Sequence, residues 1–356
     1  MKILTINPGS TSTKIAVFED LTSIFEKTLR HSVEELVGYK TIIDQYEFRK
    51  NIIIEALKEA NIKVSDLDAV VGRGGLLKPI PGGVYRVSDA MIEDLRKGVM
   101  GEHASNIGGL LAREIARAVC DDCPSFIVDP VVVDEMDDIA RYSGRPELPR
   151  ISIFHALNQK AVARRFAREQ NKRYEDLRLI VAHLGGGVTV GAHANGRVID
   201  VNNGLDGDGP FSPERAGGLP SWQLTQLCYS GKYELHEMKK MITGQGGFVA
   251  YLNTNDARIV EDAALRGEEP ARSVFFAMGY QVAKEIGSCA VALDGSVDAI
   301  IITGGVAYAK PLTKFITEKV KFIAPVHIYP GEDELQALAE GAYYAIKGEL
   351  EIKEYA

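Results

Sequence analysis

No stretch of this chain approaches the ~18 apolar residues of a membrane-spanning helix, so that class is set aside. The opening residues, "MKILTINP", are too short in apolar positions for a signal peptide; they read as a strand, and the expected compartment is the cytoplasm. Positive charge is also scarce: 41 Lys and Arg stand against 49 Asp and Glu, a net −8. Broad nucleic-acid binding needs a positive face, which this balance argues against. An anionic ligand must then be held by locally placed Arg, Lys and backbone N–H groups. Cysteine is sparse, at Cys120, Cys123, Cys228 and Cys289. Cys120 and Cys123 form a lone C-x-x-C with no second ligand pair nearby for zinc. The acids flanking it raise a thiol pKa rather than lower it, so two thiols at a helix end are expected. The G-x-x-x-x-G-K-[ST] phosphate loop is missing. Asp206-Gly207-Asp208-Gly209 opens like a calcium loop but lacks the later ligands. The acidic run 134–138 reads as a solvated face.

The chain's 356 residues exceed what one hydrophobic core normally serves, so two domains are expected. The sequence resembles itself in two places. "DLDAVVGRGG" (66–75) parallels "SVDAIIITGG" (296–305), each an Asp-Ala, an apolar run and a Gly-Gly. "KILTINPGSTSTKIAVFED" (2–20) parallels "RLIVAHLGGGVTVGAHANG" (178–196), each a strand, a loop of small residues and a second strand. Two pairs in the same order predict two similar halves, with an insertion in the second. Apolar residues at helical spacing over 104–119, 156–169 and 271–293 separate strand signals at 125–129, 151–155 and 326–330. Alternating strands and helices predict an α/β architecture with mixed sheets. The long helix 271–293 suits either an interface or a core.

The first hairpin turn carries Asn7, Ser10, Ser12 and Lys14 around Gly9. Either it is a polar surface turn, or it aims several N–H groups and an ammonium at one anion. Its counterpart, His183 with Gly185, Gly186 and Gly187, allows close backbone approach. His183 is then either a satisfied core histidine or a donor to a phosphoryl oxygen. Two such loops facing one cleft would grip a polyphosphate from both sides. Gly304 and Gly305 follow a strand, where a nucleotide can lie against the backbone; a strand-to-helix turn explains them equally. Arg73 and Arg215 sit among glycines, and a guanidinium suits carboxylate or phosphate. Individually each is as readily a solvated arginine. His103 and Asn106 start a helix, where an anion is favoured or a plain N-cap forms. Asp129 ends a strand, a common place for a site residue. The irregular, Gly- and Pro-rich segment 202–220 is too long for a simple connection and suggests function or mobility.

Together, "NPGSTSTK" (7–14), the paired loops, the duplicated halves, "VDPVVVDEM" (128–136) and "FHALNQKAVARR" (154–165) resemble the acetokinase family of the sugar kinase, heat-shock-70 and actin superfamily, over nearly the whole chain. The resemblance implies two actin-like (ribonuclease H-like) α/β domains with mixed sheets and an active-site cleft between them. These would cover 1–150 plus 335–356, and 151–334, the last helix returning to the first domain. It implies ATP-dependent transfer of phosphate to butyrate or a related short- or branched-chain acid, with Mg²⁺ and a homo-oligomer packed through the second domain. By the same resemblance Arg73, His183, Arg215 and Asp129 are catalytic, and His103 and Asn106 face the carboxylic acid. Asn7, Ser10, Ser12, Lys14, Gly185, Gly186, Gly187, Gly304 and Gly305 face ATP. Asn7 and Glu334 face the metal, with Glu332 competing for that role. A family histidine between the first arginine and its Gly-Gly is missing here. Two readings stay open beside this one: a nucleotide-switched actin- or heat-shock-like ATPase, and a sugar kinase using Asp129 as base.

Overall fold

The computed structural model describes residues 1–356, Val33 left aside. The chain divides into two compact units, Met1–Val133 with Asp333–Ala356, and Asp134–Glu332. The division falls earlier than the expected boundary at 150. The segment 134–150 is tied to the second unit by Asp137 N–H on the Ile199 carbonyl (2.9 Å) and by Arg150 on Asp200 (2.8 Å). The acidic run 134–138 is likewise no plain solvated face. Glu135 is buried against Lys160 (2.7 Å), and Asp137 pairs with Arg197 (2.9 Å).

The first unit holds β1 (Lys2–Pro8), β2 (Ser12–Glu19), β3 (Thr22–Arg30), β4 (Ala69–Arg73), β5 (Val84–Arg86) and β6 (Ser125–Val128). The second holds β7 (Leu179–Leu184), β8 (Val188–Ala194), β9 (Arg197–Val201), β10 (Ala299–Gly304) and β11 (Val326–Pro330). The chain returns to the first unit for β12 (Ile352–Lys353). The sheet orders are β12-β5-β6-β4-β1-β2-β3 and β11-β10-β7-β8-β9. Five strands correspond one to one: β6, β4, β1, β2, β3 with β11, β10, β7, β8, β9.

The repeated Asp-Ala explains part of this match. Asp68 Oδ2 accepts from Lys2 N–H (2.6 Å), and Asp298 Oδ2 accepts from Arg178 N–H (2.8 Å). In each half the same aspartate starts the parallel pairing of the Gly-Gly strand with the first hairpin strand.

Both sheets are covered on two faces, so their inner strands read as continuous apolar runs. In the first unit, helices Tyr46–Glu59 and Asn106–Val119 pack Ile53, Leu57, Ile107 and Leu111 onto Leu4, Ile6, Ile15 and Val17. Helix Glu334–Ile346 covers the other face, with Leu335 and Ala339 against Ala16 and Phe18. In the second unit, helix Ala271–Ala292 sets Phe275, Met278 and Val282 on Ile180, Ile300 and Ile302. It is therefore a core helix. Helix Ala156–Glu169 sets Val162 and Phe166 on Leu179, Val181 and Ile301.

Two expected elements differ. Residues 151–155 form no strand; the Ile153 carbonyl takes one backbone bond, from Gly204 N–H (2.9 Å), and the chain then enters a helix. The last helix stops at Ile346, and Gly348 in the left-handed region (φ 77°) turns the chain. β12 then adds parallel to β5.

Candidate functional site

The residues singled out from the sequence divide between the two units. In the first unit the β1–β2 hairpin pairs Asn7 directly with Lys14, so both side chains leave the same face of the hairpin. Asn7 is buried and Lys14 exposed. Parallel pairing of β4 with β1 brings Arg73 alongside. Arg73 Nη1 donates to Asn7 Oδ1 (3.3 Å) and to Glu334 Oε2 (3.1 Å), and lies 3.0 Å from Glu334 Oε1. The Asn7 amide also donates to Glu334. Asn7, Arg73 and Glu334 thus form one cluster. Glu332 belongs to the second unit and meets different partners.

The hairpin loop is fixed by a residue that carries no sequence signal. Arg49 is fully buried on helix Tyr46–Glu59. Its Nη1 donates to the carbonyls of Gly9 (2.7 Å) and Ser12 (3.0 Å) and to Thr13 Oγ1 (3.1 Å). Its Nη2 donates to the Ser10 carbonyl (3.0 Å) and Gln45 Oε1 (2.7 Å). One guanidinium therefore draws three loop carbonyls to itself. Burial lowers its pKa to about 10, still far above neutrality. Thr13 Oγ1 also meets His31 Nε2 (2.9 Å). Burial first, and the Arg49 charge second, hold His31 down at about 4.

Asp129 follows β6 with φ 36° and is buried. It exchanges two bonds with Gly83: its N–H donates to the Gly83 carbonyl (3.0 Å), and its Oδ1 accepts from Gly83 N–H (2.7 Å). Asn106 is buried with both amide ends on backbone, Oδ1 on Leu76 N–H (2.8 Å) and Nδ2 on the Gly101 carbonyl (2.9 Å). It fastens a loop. His103 is exposed on that loop, its Nδ1 accepting from Ser105 N–H (3.2 Å). Cys123, the second thiol of the C-x-x-C, is pushed up to about 11 by burial and by Cys120, which suits a structural thiol.

In the second unit, the β7–β8 turn closes with Gly185 N–H on the Gly187 carbonyl (2.9 Å). His183 is buried at the end of β7, its Nδ1 2.7 Å from Asn158 Oδ1. Its Nε2 lies 3.1 Å from Glu332 Oε1, outside hydrogen-bond alignment. Arg215 donates to the Gly204 carbonyl. A Cβ on Gly187 would collide with its guanidinium, so this glycine permits a close approach that no other residue allows. Burial lowers the Arg215 pKa. Ser212, also missed in the sequence, joins these parts. Its Oγ donates to the Gly186 carbonyl (2.5 Å) and accepts from Arg215 N–H (3.1 Å). The segment 202–220 is thus an ordered brace under Arg215. Gly304 exchanges two backbone bonds with Gly331 (3.0 and 3.1 Å), and Gly305 starts a short 3₁₀ turn.

Each hairpin is therefore matched with one arginine, Arg73 on Asn7 and Arg215 over Gly187. Such pairs suit an anion with several oxygens. No group of three or more His, Cys, Asp or Glu forms a metal cage among the described residues, and no helix is long and apolar enough to cross a membrane.

Known proteins match this chain in sequence and in fold. The pattern of the acetokinase family matches residues 149–324. Butyrate kinase 2 of Clostridium acetobutylicum is 62% identical over 354 residues, 99% of each chain. Butyrate kinase 1 of the same organism is 59% identical with the same coverage. Among solved structures, an acetate kinase from Porphyromonas gingivalis superposes with a TM-score of 0.78 at 18% identity, covering 96% of this chain and 98% of that one. That likeness shows the fold.

Proposed function

The chain belongs to the acetokinase family, and from that premise we propose that it transfers the γ-phosphoryl group of ATP reversibly to butyrate or a related short- or branched-chain acid. The products are the acyl phosphate and ADP. The observation that carries the reading is the matching of each glycine-containing hairpin with its own arginine. The relatives' names support a carboxylate kinase over a nucleotide-switched ATPase or a sugar kinase.

A carboxylate is already a nucleophile and needs no general base. Its oxygen attacks the γ-phosphorus, the bond to the β,γ-bridging oxygen breaks, and ADP leaves with the electron pair. Catalysis then reduces to positioning and to neutralising charge on the transferred group. Arg73 and Arg215 supply fixed positive charge. His183 directs Nε2 at a phosphoryl oxygen, to which it donates once that nitrogen carries a proton. Lys14 and the loop N–H groups at Ser10 and Ser12 hold the nucleotide phosphates, while Arg49 keeps the loop carbonyls from opposing them. Gly185, Gly186, Gly304 and Gly305 leave room for the nucleotide. His103 takes the carboxylate side, with Asn106 and Asp129 shaping the loops around it.

One carboxylate, Glu334, with the Asn7 carboxamide fits Mg²⁺, which rests mainly on substrate phosphates and few protein ligands. When bound, that ion spreads the charge of the β- and γ-phosphates. Exposed Trp222, Tyr229 and Leu235 on the second unit supply a surface for the proposed self-association, which sedimentation tests directly.

Incubation with ATP, Mg²⁺, butyrate and hydroxylamine tests the reaction. Acyl hydroxamate should form in step with ADP, and ADP release should collapse when the acid is omitted. Release of ADP indifferent to any acid would sink the kinase reading. A panel of acids then sets chain length, since one methylene is worth only about 1–3 kcal/mol.

A further inference from the structure

The His183 ring lies against a second imidazole, His155, with centroids 3.8 Å apart and planes within 11°. His155 is held at the end of a chain of hydrogen bonds whose directions can be worked out. Gln159 Nε2 lies 3.1 Å from the Thr189 carbonyl. A carbonyl only accepts, so the Gln159 amide nitrogen faces Thr189 and its oxygen faces His193. His193 Nε2 (3.0 Å) must then donate to Gln159 Oε1. A neutral His193 has one proton, so its Nδ1 accepts from the Tyr174 hydroxyl (2.8 Å). Full burial keeps His193 neutral.

At the other end, Gln159 Nε2 also donates to Thr189 Oγ1 (2.9 Å). Thr189 is fully buried, so its hydroxyl proton needs an acceptor, and His155 Nδ1, 2.9 Å away, takes it. His155 Nδ1 is an acceptor, and its proton sits on Nε2. The adjoining ring is set oppositely. Asn158 Oδ1 accepts from His183 Nδ1–H, which leaves Nε2 as the nitrogen that must take up a proton before it can donate to a phosphoryl oxygen. Helix Ala156–Glu169 carries both Asn158 and Gln159, and His155 immediately precedes it.

We propose that His155 and Asn158 are positioning residues for His183: the Tyr174–His193–Gln159–Thr189 chain pins the His155 ring, and that ring and Asn158 fix the plane and tautomer in which His183 presents Nε2. The inference rests on the role given to His183 above. It adds that the buried polar chain, which touches no substrate, sets turnover through that one ring. Partners of this kind fix ring orientation elsewhere in protein chemistry.

Nitrogen-15 NMR of histidine-labelled enzyme reads the tautomers directly. The expected pattern is a protonated Nδ1 on His183 and a protonated Nε2 on His155. Thr189→Val, which keeps the shape and removes the hydroxyl, should scramble the His155 signature. Its kcat should fall about tenfold or more, with KM for ATP and butyrate within about twofold. Asn158→Leu should lower kcat similarly, and Asn158→Asp, which restores an acceptor for Nδ1, should recover most of it. A protonated Nδ1 on His155 would overturn the proposal, as would Thr189→Val and Asn158→Leu variants of unaltered kcat. Full turnover by His183→Gln would instead overturn the functional role of His183, while the tautomer measurement would still decide the positioning.

Discussion

Arg49 shows how much of a hairpin loop can rest on one residue outside it. Its fork spans carbonyls of Gly9, Ser10 and Ser12, a geometry that a lysine's point charge cannot reproduce. Arg49→Lys should therefore raise KM for ATP about tenfold, and Arg49→Met should cost about 3 kcal/mol or more of stability. Nucleotide kinetics and urea midpoints check the two parts. His31 makes the same corner sensitive to acid. The unfolded chain takes up a proton near pH 6.5, whereas the folded chain refuses it until about 4. Stability should fall as pH drops through that window, by about 3 kcal/mol in all, and His31's share of the fall should end below it. Urea midpoints at pH 7 and 4.5 measure this, and His31→Gln should flatten the difference. Neither residue was legible in the sequence. An arginine on a helix and a histidine after a strand read as surface residues, and only tertiary packing shows that both point at one loop. Asn106 was legible only as a helix-start residue, a ligand or an N-cap; its two amide ends are both on backbone.

At the scale of elements, the hairpins and their repeat were the legible part. Strand-loop-strand patterning and the Asp-Ala pairs appear as matching ladders, because the doubly covered strands leave apolar runs and their turns leave glycines in the sequence. The chain ends of elements were less legible. The 151–155 run has strand composition but a single ladder bond, and 352–353 is too short to carry a pattern. The β7–β8 turn gives a sharp element-level test. Gly187→Ala would drive a methyl into the Arg215 guanidinium, so kcat should drop about 10²–10³-fold, the cost of one misplaced charge-stabilising group. Thermal stability should change little, and kinetics beside a melting curve separate the two effects. The C-terminal segment tests the first unit in turn. Tyr355 is buried, and its hydroxyl donates to Asp94 (2.7 Å). Tyr355→Ala should destabilise the first unit by about 3 kcal/mol, read as a lower urea midpoint.

At the scale of the whole molecule, the chain carries two copies of one device, each a hairpin matched with an arginine. The copies have diverged in what surrounds the arginine. Arg73 is balanced by Glu334, whereas Arg215 rests on the Gly204 carbonyl, with His183 near the end of β7 before the glycine turn. The sequence disclosed the duplication, but not these different surroundings of the two arginines, which depend on contacts between residues far apart in the chain. The central claim is direct transfer from ATP to a carboxylate, with no phosphorylated enzyme between them. ATP made chiral at the γ-phosphorus with three oxygen isotopes tests it most directly, with butyrate as acceptor. A single in-line displacement predicts acyl phosphate of inverted configuration at phosphorus; retained configuration would mean two displacements and would contradict the account.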